Sequence, residues 1–379
     1  MRIKNYFRQI SLPGICLLIC LGCTSVTSTS EVRLTVLNSM ERIGPDQLLF
    51  GSGQASIKAA KNEMESFQVV VAAIQKNVRV TGAEISDLKG DAGTIAKENV
   101  SLFREEYARV RRSSPRAQLP PGLYPDPLVP FINPQTGKPI EPFNEYRKKW
   151  GDPFIKSGFE MYAIPFDLWK GQNQPVWVDV YIPAGTAAGE YKGVFTVTLG
   201  NVPEQYGIKT DSVLTKTVSI PVNVTVWDFT LPDGPTHRNH FGHVAWLIND
   251  VFGAEHNTER ALEIELNYCR MMSAHRINPP IPESFMPEVN PDGSLKIIPE
   301  RRIMLKKFLQ DLHVTDFQIP NAPFREMTTT NRSRALNYYR DFYKYLKENG
   351  WEKRAYLYML DEPNLSENYQ TVLDLGALA

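Results

Sequence analysis

Two adjacent carboxylates, Asp361 and Glu362, directly follow the apolar stretch 355–360 (AYLYML) and precede Pro363. A stretch that is apolar on both faces is typical of a buried strand in a parallel sheet. In parallel α/β architectures, chemistry collects at the carboxyl ends of strands, and neighbouring carboxylates can serve as general acid and base. The alternative is a helix N-cap, where Asp or Glu beside Pro is favourable without any catalysis.

Three histidines, His237, His240 and His243, recur at every third position. On a helix this spacing would gather them on one face, whereas on a strand consecutive members point to opposite faces. Because we predict a short strand over 240–246, we expect no metal site, and no cofactor is implied. The one cysteine of the expected mature body, Cys269, is predicted to be a buried apolar residue.

The elements that must position the carboxylates follow a boundary at residues 231–235 (LPDGP). Before it, residues 31–232 form short alternating segments separated by Gly and Pro, which predicts an antiparallel β-sandwich. After it, over 236–379, strand and helix signals alternate, which predicts a parallel sheet. The predicted strands lie near 240–246, 277–280, 316–319 and 355–360, and the predicted helices near 258–274, 300–312 and 332–349.

Two segments of the first half depart from the strand pattern. Residues 113–158 are rich in Pro, Asn and charged side chains, and we predict a long excursion from the sandwich rather than a separate domain. Loops of this length are uncommon unless they are functional. The basic stretch 104–116 also contains Glu105 and Glu106, and it predicts a solvated face.

The amino terminus predicts export. A basic start precedes the apolar run 15–21, a glycine and Cys23, which together describe a bacterial lipoprotein signal. We expect a signal peptide over 1–22, lipid on Cys23, a tether over 23–30 and a location in the bacterial cell envelope, facing the periplasm or the cell surface. The alternative is plain secretion with cleavage near Ser28.

The charge composition of the chain limits the kinds of partner that it can bind. The chain has 379 residues with 42 basic and 42 acidic side chains, so its formal net charge is zero. This balance argues against nucleic acid as the main partner, since phosphate binding needs an excess of Lys and Arg on one face. The length favours two domains over one.

Over nearly its whole expected mature length, the sequence resembles glycoside hydrolase family 123 and related domains of unknown function. The matching segments are 124–130 (YPDPLVP), 173–179 (NQPVWVD), 187–193 (AAGEYKG), 275–277 (HRI) and 358–363 (YMLDEP). The resemblance implies a β-sandwich followed by a (β/α)₈ catalytic barrel. It also implies retaining hydrolysis of terminal β-linked N-acetylgalactosamine from glycans or glycolipids, with Asp361 and Glu362 as the catalytic dyad.

The mechanism implied by this resemblance is substrate-assisted, because the 2-acetamido oxygen of the sugar attacks the anomeric carbon. Asp361 would orient the acetamido group, and Glu362 would protonate the leaving oxygen and then act as a base. Further candidate substrate-binding residues flank the predicted strands: Trp246, His275, Arg276, Asn321 and Tyr358. Each has a structural alternative, which is core packing for the two aromatic residues and structural hydrogen bonding for the other three.

The length of the second part limits the barrel. A (β/α)₈ barrel typically needs about 250 residues and eight strands, whereas residues 236–379 carry four strand signals. We therefore expect a barrel that is truncated after about its fourth strand, and that is inactive or poorly soluble until a C-terminal extension is supplied. Two rivals remain open: a related glycosidase acting on another sugar, and a non-catalytic glycan-binding surface lipoprotein. The expected partners are an N-acetylhexosamine-containing glycan and, through the lipid, the membrane.

Overall fold

The computed structural model describes residues 31–133, 137–139, 162–202, 216–242, 245–324 and 329–378. The expected signal peptide, Cys23 and the tether lie outside the described residues. The chain divides into a first unit that ends at Leu231 and a second unit that begins at Pro232. In the described ranges, no helix combines the length and the apolar character needed to cross a bilayer.

The described strands of the first unit form two sheets. The five-stranded sheet has the order β1 (Val32–Asn38), β3 (Glu63–Ala73), β10 (Asn173–Ile182), β7 (Val100–Val110) and β8 (Gly122–Pro130), and all neighbours are antiparallel. The seven-stranded sheet has the order β2 (Ala55–Lys61), β12 (Lys216–Thr230), β11 (Gly189–Gly200), β4 (Val78–Ile85) and β9 (Phe166–Leu168). The short strands β5 (Leu88–Gly90) and β6 (Gly93–Ile95) join the seven-stranded sheet beside β11, and a 3₁₀ turn spans Lys97–Asn99.

One shared core joins the two sheets. Every second residue of β12 from Val218 to Val226 is buried, and so is every second residue of β10 from Val176 to Ile182. These side chains belong to a single apolar cluster that draws on both sheets. Each fully buried Val or Ile contributes roughly 1.5–3 kcal/mol of transfer free energy. The first unit is thus a two-layered β structure, in agreement with the predicted alternation.

The prediction of an excursion over 113–158 is wrong for residues 122–130. These form β8, the edge strand that pairs with β7. The strand signal is hidden in the sequence by Pro125, Pro127 and Pro130. Proline is tolerated there because an edge strand has one side without ladder partners, where a missing N–H costs little. Residues 134–136 and 140–161 lie outside the described residues.

The second unit alternates helices with short strands. Its described helices are α1 (Ala245–Phe252), α2 (Glu259–Ala274), α3 (Pro299–Asp311), α4 (Thr329–Glu348) and α5 (Ser366–Gly376), and a 3₁₀ turn spans Glu283–Phe285. Strands β13 (Glu288–Val289) and β14 (Leu295–Lys296) form a hairpin, and β15 (Phe317–Gln318) pairs with β16 (Ala355–Tyr356) in parallel. Cys269 on α2 is fully buried in the core of this unit, as predicted. Burial raises the pKa of its thiol to about 12.

Two strand predictions in this unit need correction. The strand expected over 240–246 is wrong, because residues 239–242 have no regular structure and α1 begins at Ala245. A short apolar run fits a buried strand and a buried helix equally well, so periodicity alone does not separate them. The strand expected over 355–360 is shorter than predicted and ends at Tyr356.

The strand-like segments of the second unit lie side by side in chain order. Phe317 N–H donates to the Arg354 carbonyl oxygen at 2.9 Å, and Ile319 N–H donates to the Tyr356 carbonyl oxygen at 3.0 Å. Helix α4 connects these two parallel segments, as the crossover in a βαβ unit does.

Asn278 joins the two earlier segments to this pair. Its N–H donates to Asn239 Oδ1 at 2.8 Å, and its own Oδ1 accepts from Thr315 N–H at 2.9 Å. The segments around 239, 277–280, 315–319 and 354–358 therefore follow one another in space as they do in the chain. The contact of Asn239 with Asn278 and that of Asn278 with Thr315 each run through an asparagine side chain instead of a backbone ladder. This explains why no strand forms around Asn239 and Asn278.

Candidate active site

Asp361 and Glu362 lie five and six residues beyond β16, in the turn that leads to α5, and both are exposed. Glu362 has φ 42°, and its carbonyl oxygen accepts from Asn364 N–H at 2.7 Å. A non-glycine residue in this left-handed region costs roughly 1–2 kcal/mol, so the turn is specific. The N-cap alternative is wrong, because the N-cap of α5 is Leu365, and neither Asp361 nor Glu362 holds that position.

Tyr358 is the side chain that the structure brings to the carboxylates. Its hydroxyl donates to Asp361 Oδ1 at 2.8 Å, and its side chain is 48% exposed, which argues against a role in core packing. The hydrogen bond to Asp361 is the main cause that raises the pKa of Tyr358, with smaller contributions from burial and from the charges of Asp361 and Glu362. The phenol therefore stays protonated and remains a donor.

The side chain of Asn321 links the carboxyl end of β15 to the backbone that follows β16. It follows β15, and its Nδ2 donates to the carbonyl oxygens of Tyr358 at 2.9 Å and Met359 at 3.3 Å. These carbonyls lie just past the point where the β16 ladder stops, so the side chain of Asn321 replaces ladder partners. Asn321 thus sets the backbone that carries Tyr358 and, three residues later, Asp361.

Two tyrosines of α4 support this loop, and the sequence does not predict their role. The buried Tyr338 donates from its hydroxyl to the Pro320 carbonyl oxygen at 2.7 Å, and the Tyr339 hydroxyl accepts from Ala322 N–H at 3.4 Å. Burial raises the pKa of Tyr338, so it too remains a donor. The signal in the sequence is an aromatic pair on the helix that follows Asn321.

The structure does not bring His275 and Arg276 to the carboxylates. They precede segment 277–280 at its amino end, whereas Asp361 follows its own strand at the carboxyl end. Arg276 has φ 56°, and its Nε donates to the Pro232 carbonyl oxygen at 2.8 Å. His275 is the exposed C-cap of α2. A structural role therefore fits Arg276.

Trp246 lies on α1 and not beyond a strand, so the position expected for it is wrong. The structure does not describe the side chain of Trp246 or any part of His243. In the part of the chain that is described, no group of three His, Cys, Asp or Glu side chains lies close enough together to hold a metal ion.

A polar network holds the opposite, amino ends of the segments, and the sequence gives no direct signal for it. Arg238 Nε lies 3.1 Å from Oδ1 of the buried Asp316, and Arg354 donates to the carbonyl oxygens of Val314 and Thr315. Burial lowers the pKa of Arg354, and the charge of Asp316 partly opposes this. These groups hold the amino ends of the segments in place, whereas Asn321 and Tyr358 hold the backbone at the carboxyl ends.

Comparison with known proteins bears on the family. Residues 140–199 match the sequence profile of the Glycoside hydrolase 123 N-terminal domain. A search of curated proteins finds no match to this chain. The solved structure of a family 123 glycoside hydrolase from Clostridium perfringens, studied for glycolipid glycan hydrolysis, aligns with a TM-score of 0.54 and 13% identity. The alignment covers 91% of this chain and 60% of that one, so this chain spans less than two thirds of the solved enzyme.

Other solved structures resemble this chain only weakly. AvmM, which catalyses macrocyclization in alchivemycin A biosynthesis, has a TM-score of 0.24 at 9% identity, over 51% of this chain and 89% of its own. AggA, a fimbrial subunit from Escherichia coli, has a TM-score of 0.20 at 11% identity, over 54% of this chain and 99% of its own. The domain match and the Clostridium structure together confirm the resemblance of this chain to glycoside hydrolase family 123.

Proposed function

We propose that the protein is an exported glycoside hydrolase that removes terminal β-linked N-acetylgalactosamine from glycans or glycolipids by a retaining, substrate-assisted mechanism. One observation carries this proposal: the Tyr358 hydroxyl lies 2.8 Å from Asp361 Oδ1, in a turn that Asn321 fastens to the neighbouring strand. An oriented carboxylate next to a second, adjacent carboxylate is what this mechanism needs. The resemblance to family 123 supports the same chemistry.

The proposed barrel rests on the order of the segments. Four strand-like segments lie side by side in chain order, and helices connect them, as in the first half of a (β/α)₈ barrel. An apolar stripe that runs from the N-cap Leu365 along α5 through Tyr369 and Leu373 is exposed. In a barrel, later elements would cover such a stripe, and the edge of β16 would pair with the next strand.

In the proposed mechanism, the bond from Tyr358 occupies Oδ1 of Asp361 and leaves Oδ2 for the acetamido N–H of the sugar. The acetamido oxygen then attacks the anomeric carbon while the bond to the leaving oxygen breaks. Glu362 gives its proton to that oxygen and afterwards takes one from the water that opens the oxazolinium ring. Two inversions at the anomeric carbon give net retention, and no protein nucleophile is required.

The test compares substrates with good and poor leaving groups. With Glu362→Gln, cleavage of an unactivated N-acetylgalactosaminide disappears, whereas cleavage of the nitrophenyl β-glycoside is spared more, because nitrophenolate leaves without a proton. Equal loss on both substrates would refute the acid role. Asp361→Asn lowers both rates, because both reactions need the oriented acetamido group.

The same assay separates the rivals. Faster cleavage of the nitrophenyl glucosaminide than of the galactosaminide indicates a related glycosidase for another sugar. Calorimetric binding of N-acetylgalactosamine oligosaccharides without any turnover, with or without a C-terminal extension, indicates a glycan-binding protein.

We also propose that the mature protein is anchored in the bacterial envelope by lipid on Cys23. The support is the basic start, the apolar run 15–21 and the small residue before Cys23. Cells fed radiolabelled palmitate should label the wild-type protein and leave Cys23→Ala unlabelled. Label that persists in the variant would contradict the anchor.

A further inference from the structure

An arginine-rich hairpin connects β7 to β8 in the first unit. We call residues 109–123 the arginine hairpin. Its four guanidinium groups are all exposed, and within the described residues none of them lies in an ion pair: Arg109, Arg111, Arg112 and Arg116. Four arginines within eight positions, with no Asp or Glu anywhere in residues 107–125, form a strongly positive tip.

The hairpin has a defined conformation. The Ser113 hydroxyl donates to the Leu119 carbonyl oxygen at 2.8 Å, and Ala117 N–H donates to the Ser114 carbonyl oxygen at 3.0 Å. The Tyr124 hydroxyl closes the base by donating to the Pro120 carbonyl oxygen. This ordered turn presents Leu119, which is 55% exposed and lies three residues beyond Arg116.

The register of the five-stranded sheet shows which end carries this tip. β1 begins opposite the end of β3, where Val32 pairs with Ala73, and β10 begins at the same end, where Asn173 pairs with Ala72. β7 runs antiparallel to β10, so β7 ends there as well. The arginine hairpin therefore extends from the end of the sheet at which β1 begins.

Further apolar and basic side chains lie at this end. Ile74 and Trp169 are partly exposed, at 43% and 37%, and Lys170 is exposed in the turn that Gly171 fastens to the end of β3. Glu31, a buried acid at this end, is held by Lys216 at 2.7 Å and Lys76 at 3.7 Å. Its charge is thus balanced locally and does not cancel the arginines.

We infer that this end of the first unit docks on an anionic phospholipid surface, with the arginine hairpin as its tip. Guanidinium groups bind phosphate with two parallel hydrogen bonds, and apolar and Trp side chains settle at the headgroup boundary. A purely polyanionic partner would use the arginines but would leave Leu119, Ile74 and Trp169 without a role.

The start of β1 lies at the end of the sheet that we propose to face the membrane. The expected tether over 23–30 would join lipid on Cys23 to the start of β1, and eight extended residues reach at most about 29 Å. The docking surface does not depend on that lipid, because the arginines and the apolar side chains are present without it.

The test uses the full chain with Cys23→Ser, so that no lipid is attached, and sedimentation with phosphatidylcholine vesicles, with or without phosphatidylglycerol. We expect phosphatidylglycerol to strengthen binding at least about tenfold. The triple variant Arg109→Glu, Arg111→Glu, Arg112→Glu should lose that gain. Amino-terminal residues contribute equally in every variant, so only differences between variants are interpreted.

The matched control reverses three exposed lysines of the seven-stranded sheet, with the same change in net charge: Lys58→Glu, Lys89→Glu and Lys192→Glu. It should retain binding within about twofold. A separate Leu119→Asp variant keeps all four arginines and should still bind several-fold more weakly.

Three results would overturn the inference. One is equal binding of the hairpin variant and the lysine control. Another is vesicle binding that does not respond to phosphatidylglycerol. The third is arginine-dependent binding to heparin without binding to vesicles, which would assign the hairpin to a sulfated glycan. Circular dichroism of each variant confirms that the sheets are intact.

Discussion

Glu105 lies in the middle of β7 and is only 4% exposed. In the described part of the chain its Oε1 has no hydrogen-bond partner. Burial raises the pKa of Glu105 from 4.5 to about 7, and the charge of Arg42 opposes only part of this effect. Folding therefore favours the protonated acid, so above neutral pH the folded protein holds an unfavourable buried charge. We predict that Glu105→Gln makes the stability of the first unit less dependent on pH.

The sign and size follow from linkage. A folded-state pKa above the unfolded value stabilises fully below the unfolded pKa, and this contribution is lost as pH rises through the folded pKa. Between about pH 5 and pH 8, Glu105 should thus remove about 2–3 kcal/mol of unfolding free energy, at about 1.36 kcal/mol per pKa unit. Glutamine keeps the shape and does not ionise.

Urea unfolding at several pH values, followed by circular dichroism of the sheets, measures this difference. The stability of Glu105→Gln relative to wild type should rise by about 2–3 kcal/mol from pH 5 to pH 8. The exposed Glu190 of the opposite sheet provides the control, and Glu190→Gln should show no such trend. A constant difference between Glu105→Gln and wild type across this range would refute the reasoning.

Three further predictions concern the second unit. Tyr358→Phe should lower kcat/KM on the nitrophenyl galactosaminide about tenfold or more with little change in stability, since one hydrogen bond to a charged group is lost; an unchanged rate would contradict the role of Tyr358. Asn321→Ala should lower kcat/KM as well and should speed amide exchange in the turn after β16, and unaltered exchange would argue against the role of the Asn321 hydrogen bonds. Gly293→Ala should cost more than about 2 kcal/mol, because Gly293 has φ 90° and an added Cβ would overlap the Arg334 carbonyl; calorimetric melting checks this against Gly53→Ala, where the space is open.

Alternation along the chain was enough to predict the layers of the first unit. Residues 218–226 alternate strictly, and each apolar member is buried in the shared core. Alternation failed at β8, because three prolines mark an edge strand and not a loop. It failed again at α1, where a short apolar run has no distinguishing period.

The candidate site was predicted in part. Its two carboxylates follow from their place after a buried strand, but the hydrogen bond from Tyr358 to Asp361 does not follow from spacing. A strand in regular conformation would separate residues 358 and 361 to opposite faces. The structure brings them together because the ladder stops at Tyr356 and Asn321 bonds the next carbonyls instead. That arrangement depends on a side chain from another loop, which no local pattern reveals.

The central claim is that Asp361 orients the acetamido group of a galacto-configured sugar. It is tested most directly by calorimetric binding of a galacto-configured thiazoline, a stable mimic of the oxazolinium intermediate, to the wild type and to Asp361→Asn. The wild type should bind the thiazoline at least about 100-fold more tightly than N-acetylgalactosamine, and Asp361→Asn should abolish this preference. Equal affinity of wild type for both ligands, or an unchanged preference in Asp361→Asn, would contradict the proposed mechanism.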